Sequence, residues 1–362
     1  MKIQVIGEPK IILSNPNSTH NYFAWPTVDR LRDGRIAVAA SGFRLEHICP
    51  MGKAVIAFSA DEGESYTPPI PVIDTTLDDR DGGLCPFGES GLIVTSFNNK
   101  VEYQRMVNKN RFQPRKAYID AYLDSITPEM EERDLGFTYR ISRDNGATFE
   151  PMRKSPIMSP HGPVELSSGE IFWIGSDGKE PNGIHAYLFD PDSGEFTYLS
   201  TVDLSGVWAD GRMASEPYVV ELEKDHLLCH IRIDRWDEHG CFTLYQCESF
   251  DCGRTWTTPY QVFGKDEGAP SFLYKHSSGK LICSYSYRFE PYGIRVMVSD
   301  DGGKTWSAGT QIFTCDVKTW DLGYPTTVEL KDGSLLTVFY AHQGPGGPAV
   351  IWQQKWRLDF EG

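Results

Sequence analysis

The chain is short of positive charge. Its 35 Lys and Arg face 50 Asp and Glu, a formal net charge of −15. Nucleic acid and anionic membrane surfaces both need a basic footprint, so neither is expected as a partner. A small anion held by a few local arginines stays compatible with that balance. Long hydrophobic runs are missing as well: no stretch approaches a transmembrane span. The opening MKIQVIGEPK has no apolar core of a signal peptide. The expected location is cytoplasmic, or secreted or periplasmic if a leader has been removed. Paired cysteine spacings are also absent. Cys49, Cys85, Cys229, Cys241, Cys247, Cys252, Cys283 and Cys315 are scattered, several in apolar strand-like runs. This pattern fits free thiols in a reducing compartment better than a disulfide framework. Cys247 and Cys252 have no second pair to complete a zinc site, and His226 and His230 sit in the strand-like HLLCHIRI rather than on a helix face. No phosphate loop or dinucleotide fingerprint occurs. Neither a metal nor an organic cofactor is expected.

What the chain does have is repetition. SADEGESY at Ser59, SRDNGATF at Ser142, SFDCGRTW at Ser249 and SDDGGKTW at Ser299 are copies of one box, Ser-x-Asp-x-Gly-x-Thr-Trp. The Asp accepts bonds from turn amides, the Gly takes a positive φ, the hydroxyls tie the turn ends and the aromatic packs under the turn. A decayed fifth copy, FDPDSGEF, places Asp192, Gly194 and Phe196 in matching positions. The boxes lack the ligand series of a calcium loop, so they read as scaffold.

A longer repeat lies between the boxes: a Pro, a Leu, a Gly turn, then alternating apolar residues. It begins at Trp25, His161, Glu216, Ala269 and Tyr324, with a weaker copy at Asp81 that has Gly82 in place of Pro. Each copy reads as strand, turn, strand, and the box hairpin adds two more strands. Six such units of roughly 50–60 residues predict an all-β, six-bladed β-propeller with four-stranded antiparallel blades. The competing readings of the same spacing are a β-sandwich or a solenoid. The unit after Tyr324 has no box, so strands from the two termini are expected to complete it and close the ring. The whole chain, residues 1–362, is then one domain. Residues 101–135 interrupt blade 2 with a charged, partly helical insertion broken by Pro114 and Pro128. It reads as a surface excursion, a contact for a homo-oligomer, or a lid.

In a propeller the inner strands line a channel whose mouth meets ligands. The residue before each unit's Pro opens an inner strand. Around the ring these residues are Trp25, Asp81, Gly162 (beside His161), Glu216, Ala269 and Tyr324. Three titratable side chains, an imidazole and an indole stand where small or apolar filling would do.

Asp boxes on six such units resemble the sialidase (neuraminidase, BNR-repeat) superfamily, over nearly the whole chain. EPYVVELEKDHLLCHIR is similar to the family segment whose Glu assists the nucleophile and whose Arg binds the substrate carboxylate, here Glu216 and Arg232. DLGYP resembles the segment of the nucleophilic tyrosine, here Tyr324. The resemblance implies an exo-acting, retaining glycoside hydrolase for a terminal acidic sugar, sialic acid or a relative. The chemistry agrees. A carboxylate on the anomeric carbon repels an anionic nucleophile, and sialidases are the tyrosine exception among glycosidases. Ionising a phenol of pKa about 10 at pH 7 costs roughly 4 kcal/mol, which Glu216 can meet as general base. The acid is either Asp81, at the shared ring position, or His47, in the loop SGFRLEHICPMGK where the family carries an Asp. The family's first arginine clamp falls at Ala24 in FAWP. Arg232 and Arg288 supply two clamps, and Arg44 or Arg80 the third. If neither does, the sugar is a different one, and His161 with Trp25 as a stacking platform suits a neutral or uronic glycan. Two further readings stand beside this one: a non-catalytic propeller binding glycan or protein, and a propeller glycosidase or lyase working through His161 or His47.

Overall fold

The computed structural model describes residues 2–110, 115–179, 181, 183–235, 241–263 and 268–359. Six four-stranded antiparallel sheets form a ring of blades. Their inner strands are Tyr22–Arg30, Arg80–Phe87, Val164–Glu165, Met213–Glu223, Ser271–Lys275 and Gly323–Glu329, and inner strands of neighbouring blades touch one another around the axis. The last blade runs outward through Leu335–His342 and Ala349–Asp359 and ends on the N-terminal strand Lys2–Leu13. That strand pairs antiparallel with Ala349–Asp359, Lys2 opposite Asp359. Termini thus complete the boxless blade, and the ring has no open edge there.

The second strand of each blade is buried on both faces, as in Leu281–Tyr287, where every residue is buried. Blades stack face to face, so these strands read as near-continuous apolar runs rather than as alternation. The hydrophobic core is accordingly divided among the blade interfaces. One cluster joins blades 6 and 1 (Trp25, Val38, Leu336, Tyr340), the next blades 1 and 2 (Ala39, Ile56, Leu92), and so on around the ring. Cys49, Cys85, Cys229, Cys247, Cys252, Cys283 and Cys315 are free thiols inside this packing.

The boxes sit between the third and fourth strands of their blades. In each, the Asp carboxylate takes the backbone N–H and the hydroxyl of the residue four positions on: Asp61 from Ser65, Asp144 from Thr148, Asp251 from Thr255, Asp301 from Thr305. The box Ser hydroxyl accepts the Gly N–H and donates to the Asp. In the decayed copy the accepting carboxylate is Asp190, bonded to the N–H of Asp192 and the hydroxyl of Ser193. Asp192 itself points outward to Arg143. The expected alignment was two residues late, because the turn is anchored on the residue that directly follows the strand Ile184–Phe189.

The box aromatics do more than underpin their own turns. Trp256 Nε1 donates to Ser200 Oγ, Trp306 Nε1 to Gln246 Oε1 and Tyr66 OH to Gln353 Oε1, each on the preceding blade. The same three partners donate to the carbonyls of Gly253, Gly303 and Gly63. A box is therefore a clasp between blades. Gly303, at φ +86°, would carry a Cβ only 2.3 Å from Leu228 Cδ1, whereas Gly279, at φ +83°, faces open space. Both Gly→Ala changes pay about 1–2 kcal/mol for the left-handed backbone. Gly303→Ala adds about 1–3 kcal/mol of overpacking. Chemical denaturation of the two variants should rank Gly303→Ala as clearly the less stable.

The insertion forms three helices: α1 (Val101–Asn108), α2 (Lys116–Asp124) and α3 (Pro128–Asp134). Pro128 opens α3 behind the capping Thr127, where its missing N–H costs nothing. Pro114 lies outside the described residues. Ile119 and Leu123 of α2 pack on Leu45 and Cys49 of the loop between the second and third strands of blade 1. The insertion is thus seated on the channel-mouth side, beside the candidate residues.

Candidate active site

Five of the six ring residues, all but Ala269, share an unusual backbone. Trp25, Asp81, Glu216 and Tyr324 have φ of 53°, 52°, 50° and 51°, and Gly162 has φ of 82°. At each of the four the pairing with the second strand slips, between Ala24 and Thr27, Arg80 and Gly83, Ser215 and Tyr218, and Gly323 and Thr326. These are β-bulges, which bend a strand and re-aim a side chain. A bulky or β-carbon-bearing residue in the left-handed region is strained and persists only where the surrounding structure holds it, a feature that clusters at functional sites.

Two of these seats meet across the ring. Tyr324 OH donates to Glu216 Oε1 at 2.5 Å. Arg232 Nη1 donates to both Glu216 oxygens at 2.9 and 2.8 Å and lies 3.3 Å from the Tyr324 hydroxyl. Arg232 reaches the pair because its strand, His226–Arg235, forms a hairpin with that of Glu216, setting Ser215 opposite Arg232. Its Nη2 is held by Asp234 at 2.7 Å. Asp234 was not among the expected residues. The signal was the two-residue spacing in HLLCHIRID, which puts Arg232 and Asp234 on one strand face.

Electrostatics separates the roles. Burial and the Glu216 charge push the Tyr324 phenol well above its usual range, against the pull of Arg232. Burial also disfavours the Glu216 charge, but Arg232, the Tyr324 bond and Arg288 outweigh it and hold the carboxyl below its usual value. Tyr324 therefore keeps its proton at rest, and Glu216 is the ionised neighbour placed to take it. Asp81 behaves oppositely. Burial, against the pull of Arg80 and aided by the Glu216 charge, pushes its carboxyl up to about 7. Three ring seats thus hold a neutral phenol, a carboxylate and a carboxylic acid that shares its proton near neutral pH.

The arginines divide. Arg288 donates to the Leu322 carbonyl at 3.1 and 3.3 Å and lies 5.8 Å from the centre of the Tyr324 ring. Arg80 lies over Trp25, 4.1 Å from its ring centre, and faces the carboxylates of Asp78, at 3.9 Å, and Asp81. Arg44 does not reach the mouth. It is fully buried, paired with the equally buried Asp78 at 2.7 Å and bonded to Ser41 and the carbonyls of Asp79 and His47. Trp25 is 1% exposed. Its ring is covered by Arg80 and Arg44 (4.1 and 4.8 Å), so it carries guanidinium groups instead of offering a sugar platform.

His161 lies lower in the channel than expected of a substrate contact. It is 1% exposed, ringed by Tyr218, Phe272 and Tyr324, with Nδ1 on Thr27 Oγ1 at 3.3 Å. Burial drives its basicity down to about 4. His47 belongs to a neighbouring cluster, with Nδ1 on Asp321 Oδ1 at 2.7 Å. Burial lowers it to about 4 despite that bond. At neutral pH it is an uncharged imidazole, a poor proton donor to a leaving group.

A cavity of about 800 Å³ opens from Ser215 and Glu216 outward, between α1 and blades 2 to 4. Tyr103 and Met106 of α1, with Phe97, Phe137 and Met158, line it. The insertion is a wall of this cavity, nearer to the expected lid than to a remote excursion. Among the described residues no group of three His, Cys, Asp or Glu side chains is arranged to hold a metal ion, and no helix is long and apolar enough to cross a membrane.

Comparison with known proteins agrees with this architecture. Residues 297–308 match the BNR/Asp-box repeat. The fold is the Asp-box propeller. No curated protein matches the sequence, but solved structures superpose along nearly all of it. A protein of unknown function from Dyadobacter fermentans is 20% identical, with a TM-score of 0.75 and 99% of both chains covered. The NanB sialidase of Streptococcus pneumoniae is 12% identical (TM-score 0.65), covering 97% of this chain and 71% of that one. The GH93 alpha-L-arabinofuranosidase of Fusarium graminearum, in complex with arabinobiose, is 13% identical (TM-score 0.63), covering 96% and 97%. At these identities the likeness extends to the Asp-box propeller as a fold; what this propeller does rests on its own ring residues.

Proposed function

We propose that the chain is an exo-acting, retaining glycoside hydrolase. In the first step Tyr324 Oη attacks the anomeric carbon while Glu216 takes the phenolic proton and Asp81 gives its proton to the departing glycosidic oxygen. In the second, Asp81 takes a proton from water, the water oxygen bonds to the anomeric carbon, and the carbon–Tyr324 bond breaks as Glu216 returns its proton. The observation that carries this reading is the 2.5 Å bond between Tyr324 and Glu216, two strained seats on blades separated by one other. Asp81 is favoured over His47 as the acid because it holds a proton near neutral pH and shares the ring position. The exo mode is supported by α1, which walls the cavity beside Glu216.

The favoured substrate is a terminal sugar with a carboxylate next to the bond cleaved. Arg232 and Arg288 lie beside the Tyr–Glu pair, and Arg80, stacked on Trp25 next to Ala24, is the favoured third clamp. One observation supports a neutral sugar instead: Asp234 already occupies the second outer nitrogen of Arg232. Incubation with 4-methylumbelliferyl glycosides of sialic acid, its deaminated analogue, hexuronic acids and neutral sugars separates the two. Release from an acidic glycoside, with the anomeric configuration retained by NMR, is the expected result. Release from a neutral sugar alone would establish the second, and silence across the panel would favour a glycan-binding propeller.

A further inference from the structure

Asp321 was not among the expected residues, although it stands in DLGYP, three positions before Tyr324. It collects four donors. Oδ1 accepts from His47 Nδ1 (2.7 Å), Tyr22 OH (2.8 Å) and Tyr340 OH (3.1 Å), and Oδ2 from His342 Nε2 (3.0 Å). His342 Nδ1 also meets the Gly347 carbonyl at 2.9 Å. Both partners of His342 can only accept, so both its ring nitrogens carry protons and it is the imidazolium counter-ion of Asp321. The Asp321–His342 pair is therefore internally neutral. His47 spends its Nδ1 proton on Asp321 and is left with a lone pair at Nε2.

This cluster lines a second cavity of about 560 Å³, within the roughly 300–1,000 Å³ usual for small-molecule sites. Its walls are Tyr22, Glu46, His47 and Asp321, together with Trp320, whose side chain is 45% exposed and meets His47 edge to face at 5.2 Å. The buried Tyr340 links the two clusters of side chains: its hydroxyl is on Asp321 and its ring lies 6.1 Å from Tyr324. A run of contacts thus leads from Glu216 at the first cavity through Tyr324 and Tyr340 to Asp321 at the second.

We propose that this second cavity binds a hydroxylated ring on the far side of the bond that is cleaved, with Trp320 as its flat wall and His47 Nε2 accepting a ring hydroxyl. The inference rests on the glycosidase reading of Tyr324 and Glu216. The ring is the leaving sugar of hydrolysis or an acceptor sugar that replaces water; both present the same hydroxyl and apolar ring face. Asp321, its acceptor capacity filled, positions His47 and does not touch the ligand.

The test compares a glycosyl fluoride, whose leaving group is one atom, with a disaccharide of the same terminal sugar. In Trp320→Ala the ratio of kcat/KM for disaccharide over fluoride should fall about five- to tenfold, the scale of one aromatic contact. His47→Phe should lower it by about as much again through the lost hydrogen bond. Free leaving sugar added to the fluoride reaction should give a transfer product if the site takes acceptors, and simple inhibition if it holds only leaving groups. An unchanged ratio in both variants overturns the proposal while leaving the glycosidase reading intact. If the wild-type protein cleaves no glycoside, that reading fails, and calorimetry with free galactose and arabinobiose decides the cavity alone. Binding lost in Trp320→Ala upholds it; no binding to wild type overturns it.

Discussion

Replacing Tyr324 by phenylalanine should lower kcat on the order of 10⁴-fold or more, the scale on which enzymes lose activity with their nucleophile. The substitution removes one oxygen and leaves the ring in the packing between blades 6 and 1, where Tyr324 contacts Tyr340. Glu216 keeps both bonds to Arg232, so the melting temperature should stay near wild type. A substrate that leaves rapidly but deglycosylates slowly, such as a fluorinated glycosyl fluoride, should add one glycosyl mass to the wild-type peptide containing Tyr324 and none to the variant. Activity within tenfold of wild type would move the nucleophile elsewhere and revive the histidine alternatives.

Asp81→Asn should split substrates by leaving group. Unactivated glycosides need a proton on the departing oxygen and should lose about 10²- to 10⁴-fold, the usual contribution of a general acid. A glycosyl fluoride should lose far less. The pH profile gives an independent check. Asp81 works while protonated, so kcat/KM should fall as pH rises through about 7. Glu216 works while ionised, and its lowered pKa places the acid limb below the usual carboxylate range. The wild type should therefore be most active in mildly acid solution, and Asp81→Asn should abolish the alkaline limb. An alkaline limb that survives the substitution would assign the acid role to another group.

Much of this was legible in the residues themselves. The boxes and the Pro–Leu–Gly units repeat visibly, and their number set the blade count. The seats of Asp81, Glu216 and Tyr324 followed from alignment of those units. Arg232 came from the resemblance of EPYVVELEKDHLLCHIR to the family segment, and the hairpin that sets it opposite Ser215 accounts for it. What stayed hidden depends on partners distant in sequence. Arg44 and Arg80 look alike in isolation, and only the close pair with Asp78 together with Ser41 and the Asp79 and His47 carbonyls, from separate segments, sends Arg44 inward. Trp25 reads equally as core or platform until the guanidinium groups that cover it are placed. Asp321 has no spacing that announces it, because its four donors come from two separate strands and a loop.

The left-handed seats also bear on how such a ring changes over evolutionary time. The strain belongs to the backbone and recurs under Trp, Asp, Glu and Tyr alike. Hydrogen bonding within each blade continues on both sides of the slip. A codon change at one seat therefore swaps the functional group presented to the mouth without renegotiating the sheet beneath it. Gly162 keeps the same conformation with no side chain, and a Cβ there would lie 3.1 Å from the Leu84 nitrogen, so that seat is closed by its neighbour. The others behave as interchangeable sockets, and new reactivity can be sampled on this frame one residue at a time.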